Sequence, residues 1–211
     1  MQLSKSQYVR GLQCHKALWL YKYKREVMTP ASPRQEFIFA NGHRIGKLAQ
    51  TLFPGGTEID HDPKNFDGMI EKTQQLIDQG ANVIYEATFK SRSVLIMADI
   101  LVRTGDAWDL YEVKASTGVK PQHKPDAAIQ WYVIQDHLPL GKAHIVHVNN
   151  EYVFNGELDI TQLLAIEDIT DAVLELQPGL DQNLESMSDM LSQNEPDIPI
   201  GLQCDDPYEC A

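Results

Sequence analysis

The sequence contains no run of about 18 or more apolar residues, and its amino terminus lacks an apolar core followed by a cleavage site. Neither a spanning helix nor a secretory leader is expected, and a cytoplasmic protein is the default. Cysteine is scarce: only Cys14, Cys204 and Cys210 are present. An odd number so spaced does not make a disulfide framework, and in a reducing compartment these side chains are free thiols or ligands. The glycine patterns of phosphate-binding and dinucleotide-binding loops are missing, which excludes the commonest nucleotide-dependent enzymes. No internal repeat is visible, so solenoids and propellers are excluded as well.

Positive charge is missing from one end of the chain. Residues 155–211 contain no Lys or Arg and 14 acids, whereas residues 1–50 contain nine Lys or Arg against two acids, a net of +7. The overall net charge of −12 therefore reflects an acidic last quarter, and the basic first quarter is free to face phosphates. Such a balance argues against a broad phosphate-neutralising footprint. With 211 residues the chain is long enough for one domain with a buried core. The charge division sets the expected organisation: a core over residues 1–154 and an acidic, helical extension over 155–211.

Local signals give the order of elements. Ser4 with Gln7 forms a capping box, with Leu3 and Tyr8 placed as a hydrophobic staple, so a helix starts there and continues, alone or as two, toward Lys24. Ser32, Pro33 and Gln35 open a second helix that Pro54-Gly55-Gly56 ends. Phe66 to Ile77 is a shorter amphipathic helix. Asn82 to Phe89 is a first strand, Lys90 to Ser93 its turn, and Val94 begins a second. Pro125 suits the first turn of a helix, Ala143 to Val148 is an apolar strand, and Thr161 to Leu176 is helical up to a break at Pro178-Gly179. Helices and three meandering strands, then a helix and a strand, imply a mixed sheet covered on both faces.

The chemistry concentrates between Val94 and Lys114. Two β-branched-rich runs meet at Thr104-Gly105-Asp106-Ala107, a two-residue hairpin turn with glycine first. If Thr104 pairs with Ala107, Asp99 stands directly opposite Glu112. Like charges so placed repel, so a cation is expected between them. Lys114 shares the face of Glu112. Two carboxylates offer hard oxygen ligands to Mg²⁺ or Mn²⁺, and a nearby ammonium can serve a metal-activated water. The competing reading is a surface carboxylate pair on an ordinary hairpin, neutralised by Lys114. Glu86, on the first strand, is expected opposite Met97 and diagonal to Asp99, either as an additional acid of the site or as a neighbour of a basic side chain.

Ala98-Asp99, a hairpin, and then Glu112-Val113-Lys114 resemble the signature of the PD-(D/E)XK nucleases. Ile84-Tyr85-Glu86-Ala87 and Gln130 resemble its RecB-like branch, which includes CRISPR-adaptation nucleases with an iron–sulfur cluster. Leu3-Ser4-Lys5-Ser6 followed by Cys14 resembles an uncharacterised bacterial RecB-like family. The proline that names the signature is replaced by Ala98, and the expected Gln-x-x-x-Tyr is here Gln130 and Ile134.

The resemblance implies a restriction-endonuclease-like αβββαβ core. It implies Asp99, Glu112, the Val113 carbonyl and His43 as metal ligands, Lys114 beside the attacking water and Gln130 in support. His43 can equally be a solvent-facing residue of a basic helix. It further implies that Cys14, Cys204 and Cys210 are three ligands of a 4Fe-4S cluster, or of a structural zinc, whose fourth is not in this chain, with a further C-terminal domain or a protein partner to supply it. Three unrelated cysteines are the alternative. The function implied is metal-dependent hydrolysis of phosphodiester bonds in single-stranded DNA or DNA ends, in repair or defence. A catalytically idle nucleic-acid-binding or assembly module is the second reading, and hydrolysis of some other phosphodiester a third.

Overall fold

A computed structural model describes residues 2–210. Seven helices and seven strands follow in the order β1 (Leu3–Ser4), α1 (Lys5–Gln13), α2 (His15–Tyr23), α3 (Pro33–Gln50), β2 (Thr57–Glu58), α4 (Phe66–Asp78), β3 (Val83–Ser91), β4 (Val94–Thr104), β5 (Ala107–Lys114), α5 (His123–Ile134), β6 (Leu140–Val148), α6 (Ile160–Leu163), β7 (Leu164–Asp168) and α7 (Thr170–Leu191). All strands join one mixed sheet in the order β2-β3-β4-β5-β6-β7, with β1 added alongside β4. β3, β4 and β5 form an antiparallel meander, and β6 returns through α5 to lie parallel to β5. This is the αβββαβ order of the restriction-endonuclease-like fold, helices covering both faces of the sheet.

The helix starts follow their caps. Ser4 and Ser32 each accept a hydrogen bond from the backbone N–H three residues on, and Gln7 and Gln35 reach back to the cap N–H, which completes both capping boxes. Leu3 and Tyr8 are buried together, as a staple requires. The helix after Ser4 is divided at Cys14, whose extended backbone ends α1 and begins α2.

Apolar side chains fill both faces. Ile84, Leu101 and Leu110 lie on the face covered by α1, α4, α5 and α7, whereas Val83, Ile100 and Val146 lie on the face covered by α3. Gly11 lets α1 approach α7 closely, since a Cβ there would fall 2.6 Å from Met187 Sδ.

Two expected boundaries differ. The predicted helix from Thr161 to Leu176 is instead the single turn α6, the edge strand β7 and the start of α7. Ile166 pairs with Val146 in the sheet, so the helix-forming residues of this stretch follow the open edge of β6. The predicted break at Pro178-Gly179 does not occur. α7 runs through it because Val173 and Leu180, on either side of the proline, are both buried in the core, and packing outweighs the lost backbone bond.

The turn between β3 and β4 is also tighter than its sequence indicates. Ser91 pairs with Val94, leaving Arg92 and Ser93 as a two-residue turn, both at positive φ (47° and 64°). Neither residue favours that region, which is why the signal is weak in the sequence. Tertiary contacts hold it: Arg92 donates to both oxygens of Asp136 (2.9 and 2.8 Å) and lies 4.4 Å over the Tyr132 ring. In consequence Glu86 falls at the register position opposite Asp99, not opposite Met97.

Candidate active site

The β4–β5 hairpin turns at Gly105 (φ 64°), and Thr104 pairs with Ala107. The ladder runs back to Ile100 and Tyr111 and then opens. Asp99 and Glu112, next in register, face each other at that opening, and Asp99 Oδ2 accepts the N–H of Val113 at 2.7 Å. Beyond the fork β4 pairs instead with β1, Ser4 opposite Leu95, and Lys5 follows immediately as the first residue of α1. The strand register thus aims the amino end of α1 into the opening between β4 and β5.

Glu112 is only 2 % exposed and both its oxygens are engaged. Lys5 Nζ donates to Oε1 at 2.9 Å and Oε2 at 3.0 Å, Lys114 Nζ donates to Oε1 at 2.6 Å, and Gln130 Nε2 donates to Oε2 at 2.6 Å. Asp126, one helical turn before Gln130 on α5, pairs with Lys114 and lies 3.6 Å from Lys5. Gln130 Oε1 is buried with no hydrogen-bond partner among the described residues.

Burial would raise the pKa of Glu112, but Lys114 and Lys5 hold it well below the usual carboxylate range. Burial opposes the charge on both lysines. Asp126, Glu112 and Asp99 nevertheless raise the Lys5 pKa, and Glu112 and Asp126 raise that of Lys114, so both remain ammonium groups. Asp99 goes the other way. Burial and the neighbouring Glu112 charge push its carboxyl up to about 8, and burial also raises Asp126 and Glu86.

Glu86 has φ of 56°, unusual for a side chain with a Cβ. The inward alternation changes phase there: Ile84 precedes it and Ala87 and Phe89 follow it on the same core face. Backbone strain of this kind persists only where surrounding structure enforces it, and here it stands against Asp99.

Asp99, Glu112, Lys114 and Gln130 are thus brought together, with Glu86 alongside. Val113 contributes its N–H to Asp99. The His43 side chain is exposed on α3 and makes no hydrogen bond or ion pair among the described residues; α3 packs Ile45 and Leu48 against the sheet face opposite Glu112. Lys5 and Asp126 are members of the site that the sequence reading missed. Asp126 and Gln130 share a helix face at a spacing of four, a signal available in the sequence. Lys5 carried none beyond its place after a cap.

The three cysteines converge from the two ends of the chain. The Cys210 N–H donates to the Cys204 carbonyl at 2.7 Å, and burial together with Cys204 and Cys14 raises the Cys210 thiol pKa. Gln13, next to Cys14, donates to the carbonyls of Gln203 (2.8 Å) and Tyr208 (2.6 Å). Tyr208 lies within electrostatic reach of Lys114, Asp126, Glu112 and Lys5, and burial raises its phenol pKa. Among the described residues no three His, Cys, Asp or Glu side chains stand in a metal-holding geometry. No helix among them is long and apolar enough to cross a membrane.

The donor types at the fork nonetheless suit a hard divalent cation: the facing acids Glu112 and Asp99, the latter raised by burial and by the Glu112 charge, and the amide oxygen of Gln130, able to accept from water. The Lys5 ammonium already bridges one of them, Glu112, to Asp126.

No family model matches the sequence, and comparison with curated proteins gives no match. Among solved structures, an alkaline exonuclease from Laribacter hongkongensis is similar at 15 % identity over 90 % of each chain, with a TM-score of 0.40. The protein SSO0001 is similar at 14 % identity over 92 % of this chain and 78 % of that one, with a TM-score of 0.39.

Proposed function

We propose that this chain is a metal-dependent nuclease that hydrolyses phosphodiester bonds of DNA, single-stranded or at ends, in repair or defence. The observation that carries the reading is the fork itself: buried Glu112 faces Asp99 across two strands at the end of their ladder, with Lys114 two residues on and Gln130 above. A set of this kind is costly to bury without a function, because each charge needs a partner.

Asp99, Glu112 and the Val113 carbonyl would hold Mg²⁺ or Mn²⁺, which would supply a water of lowered pKa and positive charge against the phosphate. The chain supplies the rest. Gln130 fixes the Glu112 carboxylate by its 2.6 Å hydrogen bond. Asp126 holds Lys114, whose ammonium donates to the attacking water or to the charge developing on the phosphoryl oxygens. As an ammonium, Lys114 orients and stabilises; it does not abstract the proton. His43 takes no part in this reading.

The three cysteines are proposed as ligands of a metal or 4Fe-4S cluster completed by a fourth group from a further domain or a partner. They tie the carboxyl-terminal segment to α1 beside the site.

The test is cleavage of end-labelled single- and double-stranded DNA with Mn²⁺, Mg²⁺ or EDTA. Glu112→Gln should lower cleavage at least about a hundredfold, the order of magnitude for removing one preorganised charge-stabilising group. Equal cleavage by the variant, or cleavage unaffected by EDTA, overturns the mechanism. The idle-module reading has one observation in its favour, the saturation of Glu112 by three donors. DNA binding without cleavage under every metal condition would establish it.

A further inference from the structure

Lys5 lies outside the resemblance-based reading of the site, yet it makes the most extensive contact there. Its ammonium straddles both oxygens of Glu112 at 2.9 and 3.0 Å and reaches Asp126 Oδ1 at 3.6 Å. Lys114 and Gln130 each take one oxygen; Lys5 alone spans the pair. Nor is Lys5 a loose surface side chain that happens to fold inward. Ser4 is fixed by the β1–β4 ladder and by both bonds of its capping box, so the first residue of α1 starts at the mouth of the fork. The Lys5 side chain is 21 % exposed, so its ammonium is not sealed inside the protein.

We propose that Lys5 is a built-in cation that holds Glu112 and Asp126 when no divalent ion is bound and gives up the Glu112 face when one binds, so that the β1–α1 junction gates the metal site. The inference rests on the metal-site reading above. A divalent ion using Glu112 as a ligand must take oxygen lone pairs that Lys5 occupies, and an ammonium cannot remain in contact with the same carboxylate face against a doubly charged ion. Removing Lys5 has two opposite effects. The metal-free site loses its counter-charge, and the divalent ion loses its competitor. A lysine that stayed on Glu112 in both states would also repel the divalent ion, but its reactivity toward an acylating reagent would not change when the ion bound.

The experiment uses the full chain and Mn²⁺ alone as the probe, with Mn²⁺ binding followed by electron paramagnetic resonance. Lys5→Met should bind Mn²⁺ roughly 5- to 150-fold more tightly than wild type, the usual span of a coupling free energy between two binding events. Mn²⁺ should also raise its melting temperature by more than it raises that of wild type. A folded Lys5→Met with unchanged or weaker Mn²⁺ affinity overturns the proposal.

A second measurement needs no variant. Acylation of Lys5 in wild-type protein by an amine-reactive ester, read by peptide mass spectrometry, should rise severalfold from EDTA to saturating Mn²⁺. Constant labelling while Mn²⁺ binds also overturns it. Glu112→Gln separates the two levels. If that variant binds Mn²⁺ like wild type, the metal site itself is misassigned. If it loses binding while Lys5→Met binds as wild type, the gate alone fails.

Discussion

At the scale of single residues the site is an uneven set of charges. Glu112 is ionised because two lysines face it, whereas Asp99, across the strand, is pushed up to about 8 by burial and by that same Glu112 charge. The consequence for stability has a definite sign. An acid whose pKa is higher folded than unfolded binds more protons in the native state, so its contribution is full below the unfolded value and is lost as pH rises through the folded one. Metal-free protein should therefore lose stability between pH 6.5 and about 8.5. Asp99→Asn should flatten that slope, leaving the part due to Asp126 and Glu86. Thermal melts in EDTA across this window check it, and equal slopes in the two proteins contradict it. The window starts at 6.5 because buried His123, lowered to about 4 chiefly by burial, titrates below it with the opposite sign.

Elements explain how those residues meet. The Arg92-Ser93 turn sets the β3–β4 register, that register sets Glu86 opposite Asp99, and the phase change at Glu86 lets Ala87 and Phe89 face the core. With φ of 56°, Glu86 pays a conformational cost that glycine would not. Glu86→Gly should accordingly be more stable than Glu86→Ala by about 1 kcal/mol, since alanine keeps the Cβ and the strain. Urea denaturation of the two variants measures this directly. Equal midpoints would mean that the backbone relaxes out of the left-handed region. The same register places Lys5, because β1 can pair with β4 only where β5 has departed.

On the scale of the whole molecule, the basic first quarter and the acidic last quarter are brought into contact. Lys24 pairs with Glu195 at 2.8 Å, and Gln13 holds the carbonyls of Gln203 and Tyr208. Residues 192–210 include no fully buried side chain, so this segment is attached by polar contacts to a core that does not need it. Deleting residues 200–211 should therefore cost metal-free protein no more than about 2 kcal/mol, the order of two exposed hydrogen bonds. Calorimetry checks it. A collapse of the cooperative transition would show that the segment is part of the core, and a larger loss in metal-loaded protein than in metal-free protein would support cysteine ligation.

The sequence by itself determined the features that depend on neighbours along the chain. The capping boxes at Ser4 and Ser32, the Gly105 hairpin and the facing of Asp99 and Glu112 follow from short-range chemistry and a period of two. Residues distant in the chain were decided by the tertiary structure. Lys5 lies 107 positions from Glu112 and Asp126 meets Lys114 only through the return of α5, so neither contact has a local pattern to announce it. The Arg92-Ser93 turn, the strand at Leu164–Asp168 and the passage of α7 through Pro178 run against local propensity, and each is held by packing or pairing with an element formed elsewhere. Local rules could find the two acids of the fork; only the assembled sheet brings the Lys5 ammonium onto Glu112 and Asp126.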